Sequence, residues 1–157
     1  MLTRKHLLAG AAGVLLLAAP VATIADGNDK ERSPQGQYRH NLMEVVKYSF
    51  LNVMLNLRGE VSAPADQIAG HAEALATAAS MAAGAFEKDT RGEDGATDAR
   101  DAVWENWSDF SARLATFEAD TAALAEAAQS GDRAAIAAAF KKVGGSCKSC
   151  HDEYRKD

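Results

Sequence analysis

Along this chain apolar side chains return every three or four residues, the period of a helix, and no stretch alternates with the two-residue period of a strand. Four such segments stand out. From Gly36 to about Arg58 the stripe is Leu42, Met43, Val46, Phe50, Val53, Met54 and Leu57, and Gly59 and Pro64 end it. A second, alanine-rich segment runs from Ala65 to about Lys88, with Ile68, Leu75, Met81 and Phe86 as its larger apolar residues. After a loop over 89–97, marked by Gly92 and Gly95, a third spans Asp98 to about Ala128 and carries Val103, Trp104, Trp107, Phe110, Leu114, Phe117 and Leu124. Ser130-Gly131-Asp132 breaks the chain, and Asp132 is placed to cap a fourth helix, Arg133 to Tyr154, holding Ile136, Phe140 and Val143. Four amphipathic helices on mostly short connections predict an all-α fold, an antiparallel up-down four-helix bundle, an architecture that hosts cofactors between facing helices.

The N-terminus departs from that pattern. Arg4, Lys5 and His6 precede an uncharged stretch, Leu7 to Ala25, whose small residues offer a cleavage point before Asp26. Residues 1–25 therefore read as a secretory signal peptide, 26–35 as a polar, disordered lead-in containing Pro34, and 36–157 as the helical domain. Uncleaved, the apolar run would be just long enough to anchor, since a span needs about 20 residues. Cleaved, nothing else in the chain is apolar enough for stable membrane insertion. The 157 residues, 47% hydrophobic, suit one small domain. A net charge of -5 argues against nucleic acid as a partner.

The chemistry sits near the C-terminus, in Cys147-Lys148-Ser149-Cys150-His151. C-x-x-C-H is the attachment signature of one covalently bound c-type haem: two thiols on one helical turn add to the porphyrin's vinyl groups, and the adjacent imidazole reaches the iron. These are the chain's only two cysteines. A dithiol oxidoreductase or a zinc module shares the bare C-x-x-C but has no need of the immediate histidine. Export together with haem points to the periplasm, and to periplasmic redox proteins as partners. Lys141, Lys142, Lys148, Arg155 and Lys156 make the surroundings of the motif locally basic. Two readings of them stay open, complement to a helix dipole and docking patch at the haem edge. Outside the motif there is no nucleophile–base pairing, phosphate loop or metal spacing, so enzymatic activity is not expected.

A haem motif closing a four-helix chain resembles class II cytochrome c, the family of the cytochromes c′ and the low-spin cytochromes c556. Val103-Trp104-Glu105-Asn106-Trp107-Ser108-Asp109-Phe110 is similar to that family's W-x-x-W-x-x-F segment, and Tyr38-Arg39 to its Y-R start. The resemblance implies a left-handed bundle with the haem near one end and His151 on the iron. It also implies Arg155 beside the proximal imidazole, Arg39 on a haem propionate, and a homodimer, if one forms, through the first two helices, using Phe50, Met54 and Leu75.

The distal face separates the family's two functions. In cytochromes c′ an apolar residue four positions after the first-helix arginine leaves the iron five-coordinate and open to nitric oxide or carbon monoxide; in the c556 type a methionine there binds the iron. Here that position is Met43. By its residue type alone, Met43 reads as core filler. The resemblance turns it into a sixth ligand, which predicts a low-spin His/Met iron, an electron carrier closer to cytochrome c556, with a high-spin gas binder as the alternative. His40 and His71 could in principle serve as distal ligands, and both read as solvent-facing by helix geometry.

Overall fold

The computed structural model describes residues 32–93 and 95–156, and among them the secondary structure is helical apart from one isolated bridge. The signal peptide expected over 1–25 lies outside the described residues. Helix α1 spans Pro34–Arg58, α2 Ala65–Glu87, α3 the single turn Ala102–Glu105, α4 Trp107–Ser130 and α5 Arg133–Tyr154.

The first helix starts earlier than its apolar pattern suggests, so the lead-in does not extend to residue 35. Ser33 caps it by accepting from the Gly36 amide at 3.0 Å. Pro34 fits the first position, where a missing N–H costs nothing. At the other end Gly59 adopts φ 72°, the left-handed conformation that closes the helix through bonds from Gly59 and Glu60 to the Asn56 and Leu55 carbonyls. The third predicted helix is broken. Asn106 leaves helical geometry at φ -119°, ψ 43°, which turns α3 so that Val103 is buried and Trp104 Nε1 donates to the Phe86 carbonyl at 2.9 Å. Asp132 caps α5 as expected, its carboxylate accepting from the Ala134 and Ala135 amides.

The four long helices alternate in direction. Gln35 at the start of α1 reaches the Ala85 carbonyl near the end of α2, and Arg133 at the start of α5 reaches the Asn56 and Leu57 carbonyls at the end of α1. Extensive contact joins α1 to α2, α2 to α4, and α4 to α5, whereas α1 and α5 meet only sparingly. The central seam is built from Ala72, Leu75, Ala78, Ala79, Ala82 and Ala85 of α2 against Phe110, Leu114, Phe117, Leu124 and Ala128 of α4, all buried. Met81, one of the larger apolar residues of α2, is exposed. Leu75 is fully buried, Phe50 is half-buried and stacks on Phe140, and the exposed large apolar residues of α1 are Tyr38, Val45, Tyr48 and Leu51. No helix among the described residues is long and apolar enough to cross a membrane.

Candidate haem site

Ile136, Phe140, Val143, Cys147, Cys150 and Tyr154 recur every three or four residues along α5 and form its inward stripe. The fold thus turns both thiols toward the bundle, where they are half-buried, with His151 at the margin of the same face. One contact fixes the level of the motif against α1. The Phe50 and Phe140 rings stack at 4.2 Å and 15° between planes, tying α1 to α5. Met43 lies seven residues before Phe50, and Cys147 seven after Phe140. Since the helices are antiparallel and rise about 1.5 Å per residue, both lie roughly 10 Å from the stack and face the same level of the gap. Arg39 and His151, eleven residues away on either side, share the next level down. Gly144 adds room: a Cβ there would meet only the Phe50 ring, at 3.8 Å.

The thiols are not activated. Burial pushes Cys147 above its ordinary value and Cys150 up to about 11. Reactive C-x-x-C dithiols are instead held low by positive surroundings, so these two are poor redox nucleophiles. Nor does a zinc site form, since among the described residues no group of three or more Cys, His, Asp or Glu gathers. His151 is pushed below its ordinary value by burial and then by the Arg155 guanidinium. A neutral imidazole keeps the lone pair that iron requires. Arg155 follows the helix rather than continuing it, its backbone amide donating to the His151 carbonyl at 3.2 Å. Its backbone is extended and bridges to Ala99, with the Arg100 amide donating to the Tyr154 carbonyl at 2.9 Å and the Lys156 amide to Asp98 at 2.7 Å.

Arg39, which the resemblance assigns to a haem propionate, is buried, 3% exposed. Its guanidinium donates to Thr90 Oγ1 at 2.8 Å and lies 5.4 and 5.3 Å from the centroids of the Phe86 and Trp104 rings. His40 and His71 are each half-buried rather than solvent-facing.

Sequence reasoning missed a clamp behind the motif. Arg113 of α4 donates to the Ser149 carbonyl at 2.8 Å and hydroxyl at 2.6 Å, between the two cysteines. It also donates to Asp109 at 2.7 Å, and Asp109 accepts from the Tyr154 hydroxyl at 2.6 Å. The i,i+4 spacing of Asp109 and Arg113 was a signal, but nothing in it named Ser149 as the target. Tyr154 and then Arg113 hold the Asp109 carboxyl below the usual range, while burial and then Asp109 push the Tyr154 phenol up to about 12. A lowered carboxylate stabilises above its unfolded value near 4, and a raised phenol stabilises below its unfolded value near 10. Tyr154→Phe should therefore melt a few degrees below the wild type between about pH 4 and 10. In thermal melts across pH that difference should shrink as pH falls through the Asp109 value or climbs through that of Tyr154. A difference that does not change with pH would exclude the clamp.

The family model described as Cytochrome C′ matches residues 35–155. This chain belongs to the cytochrome c′ family. A cytochrome c′ of Rhodospirillum rubrum is 31% identical over 144 residues, 90% of this chain and 94% of the relative. Cytochrome c′ of Shewanella frigidimarina superposes with a TM-score of 0.73 at 31% identity, over 78% of this chain and 94% of that one. Cytochrome c′ of Alcaligenes xylosoxidans superposes at 0.69 and 32%, with the same coverage, both in a nitric oxide complex of a leucine-to-isoleucine variant and in a carbon monoxide complex of a leucine-to-glycine variant.

A cytochrome c′ carries haem c on its two cysteines, and the geometry here fits one. Two protonated, half-buried thiols pack against the core beside a gap between helices that meet sparingly, with the exposed His151 at its margin. The comparisons overturn the low-spin electron carrier closer to c556 that Met43 suggested: the first relatives are cytochromes c′, and the one from Alcaligenes xylosoxidans has been seen with nitric oxide and with carbon monoxide bound. The structure supplies a physical reason. Met43 is half-buried and packed against the hydrophobic core, the role a flexible thioether takes in an irregular interior.

Proposed function

We propose that this chain is a periplasmic gas-binding cytochrome c′. The iron is held by His151 alone, and the side facing α1 is left for nitric oxide or carbon monoxide. Cys147 and Cys150 would hold the porphyrin, which supplies a ferrous iron able to bond a diatomic ligand. The shared level of Met43 and the motif across the α1–α5 gap carries this reading. The gas complexes of the related Alcaligenes xylosoxidans protein support it.

The chain's own residues do three things. Arg113, Asp109 and Tyr154 fix the attachment turn from the α4 side, so His151 is presented at a set orientation. Leu42, Met43 and Val46 give the opposing wall of α1 an apolar character that suits small uncharged gases better than water or anions. Arg39, held by Phe86, Trp104 and Thr90, is a fixed positive charge that would suit a haem propionate. The basic, apolar and small-residue succession of 1–25 supports export.

A visible spectrum of the purified holoprotein tests the reading. The expected result is a broad high-spin spectrum in both oxidation states and stoichiometric carbon monoxide uptake by the reduced form. A sharp low-spin reduced spectrum, with a sulfur-to-iron band when oxidised and no gas uptake, would overturn it.

A further inference from the structure

Charge in this molecule is divided between its elements. Residues 133–156, which make up α5 and its exit, hold six Lys or Arg against two Asp or Glu. Residues 32–132 hold eight against sixteen. Within that remainder α1 is itself basic, three Lys or Arg against one Glu, and α2 and α4 carry the acid, so the largest excess of cations lies on the helix that bears the haem motif and its exit.

Its cations are exposed. Lys141 and Lys148, seven residues or two helical turns apart, share one outer stripe of α5 with Lys142 beside it, and Arg155 and Lys156 are exposed on the extended exit that follows the helix. Lys148 is bonded to Asp152 at 2.5 Å. Among the described residues Lys141, Lys142, Arg155 and Lys156 hold no carboxylate. Complement to the helix dipole accounts for cations in the last turn only. It does not account for Lys141 and Lys142, which stand about three turns before Tyr154.

We infer that this face of α5 docks an acidic protein that reduces the haem iron. The inference rests on the gas-binding reading, because carbon monoxide binds only ferrous iron and the chain holds no reductant of its own. One electron leaves the partner's reduced centre and converts ferric iron to ferrous, and no bond or proton is exchanged. Long-range attraction between the basic stripe and an acidic partner turns the motif toward the donor, while the acidic remainder of the surface repels other approaches.

The test uses the oxidised holoprotein and the anionic reductant iron(II)–EDTA in stopped flow. A molecule read by its overall charge repels this reagent, so its rate would rise with salt. A basic face at the haem gives the opposite sign: the rate constant should fall several-fold from low to physiological ionic strength. Lys141→Glu/Lys142→Glu should reverse that slope with the visible spectrum unchanged, whereas Lys47→Glu on α1 should leave it intact. A wild-type rate that rises with salt, or a double variant that behaves like the wild type, overturns the docking face. So does salt-sensitive sedimentation of the holoprotein with phosphatidylglycerol-containing vesicles that the double variant abolishes, which assigns the face to a membrane instead. Reduction is read whether or not gas binds, so failure here and failure of the gas-binding reading are separable.

Discussion

Alanine at both Cys147 and Cys150 should yield a protein with no covalent haem and a melting temperature lower by about 10 °C or more. The first part follows from chemistry, because no other thiol exists in the chain. The second follows from packing. Much of the buried apolar surface of α2 is alanine, and α1 and α5 are joined mainly at the end remote from the motif. Helices with such thin side chains leave the intervening volume for a large apolar group. Without it the lining side chains lose contacts on the scale of a core cavity, about 3–5 kcal/mol. In a domain of this size each kcal/mol moves the melting temperature by roughly 3–5 °C. Haem staining after denaturing electrophoresis reads the first effect, and circular dichroism melts read the second. A double variant that melts with the wild type would mean the bundle closes fully without the porphyrin.

Met43→Ala should strengthen and speed carbon monoxide binding to the reduced protein by about tenfold to a hundredfold. A ligand entering between α1 and the iron displaces the Met43 side chain from its place against the core. Forcing a packed side chain off its preferred position costs about 1–3 kcal/mol, and each 1.4 kcal/mol is a factor of ten. Trimming to alanine removes that penalty. It also forfeits part of the packing, at the low end of the usual methionine-to-alanine loss of about 2–5 kcal/mol because Met43 is only half-buried. Carbon monoxide association and the spin state of the oxidised variant are the measurements. If the substitution converts a low-spin iron to a high-spin one, Met43 was a ligand after all. If gas binding is unchanged, the residue does not face the iron.

Much of this could be read from the chain. α5 was visible end to end, because a strong cap at Asp132 and a three-to-four-residue apolar stripe agree. The attachment motif was visible because its chemistry demands three residue types at one fixed spacing. The break at Asn106 was not, since helical periodicity continues across it and only the hydrogen bond from Trp104 to the Phe86 carbonyl requires the turn. The cage around Arg39 was not legible, because it is assembled from Phe86, Thr90 and Trp104, far away in sequence. Met43 misled for another reason. Spacing from Arg39 specifies where a side chain projects, and a thioether projects identically whether it bonds to a metal or merely fills space.

The unequal seams of the bundle have a mechanical outcome. α2 and α4 form a spine, while α1 and α5 hang from it like covers latched at one edge by the Arg133 bonds and the Phe50–Phe140 stack. Parting the covers at the free edge would leave the buried α2–α4 contacts intact, and that is the route which the gas-binding proposal requires of a diatomic ligand.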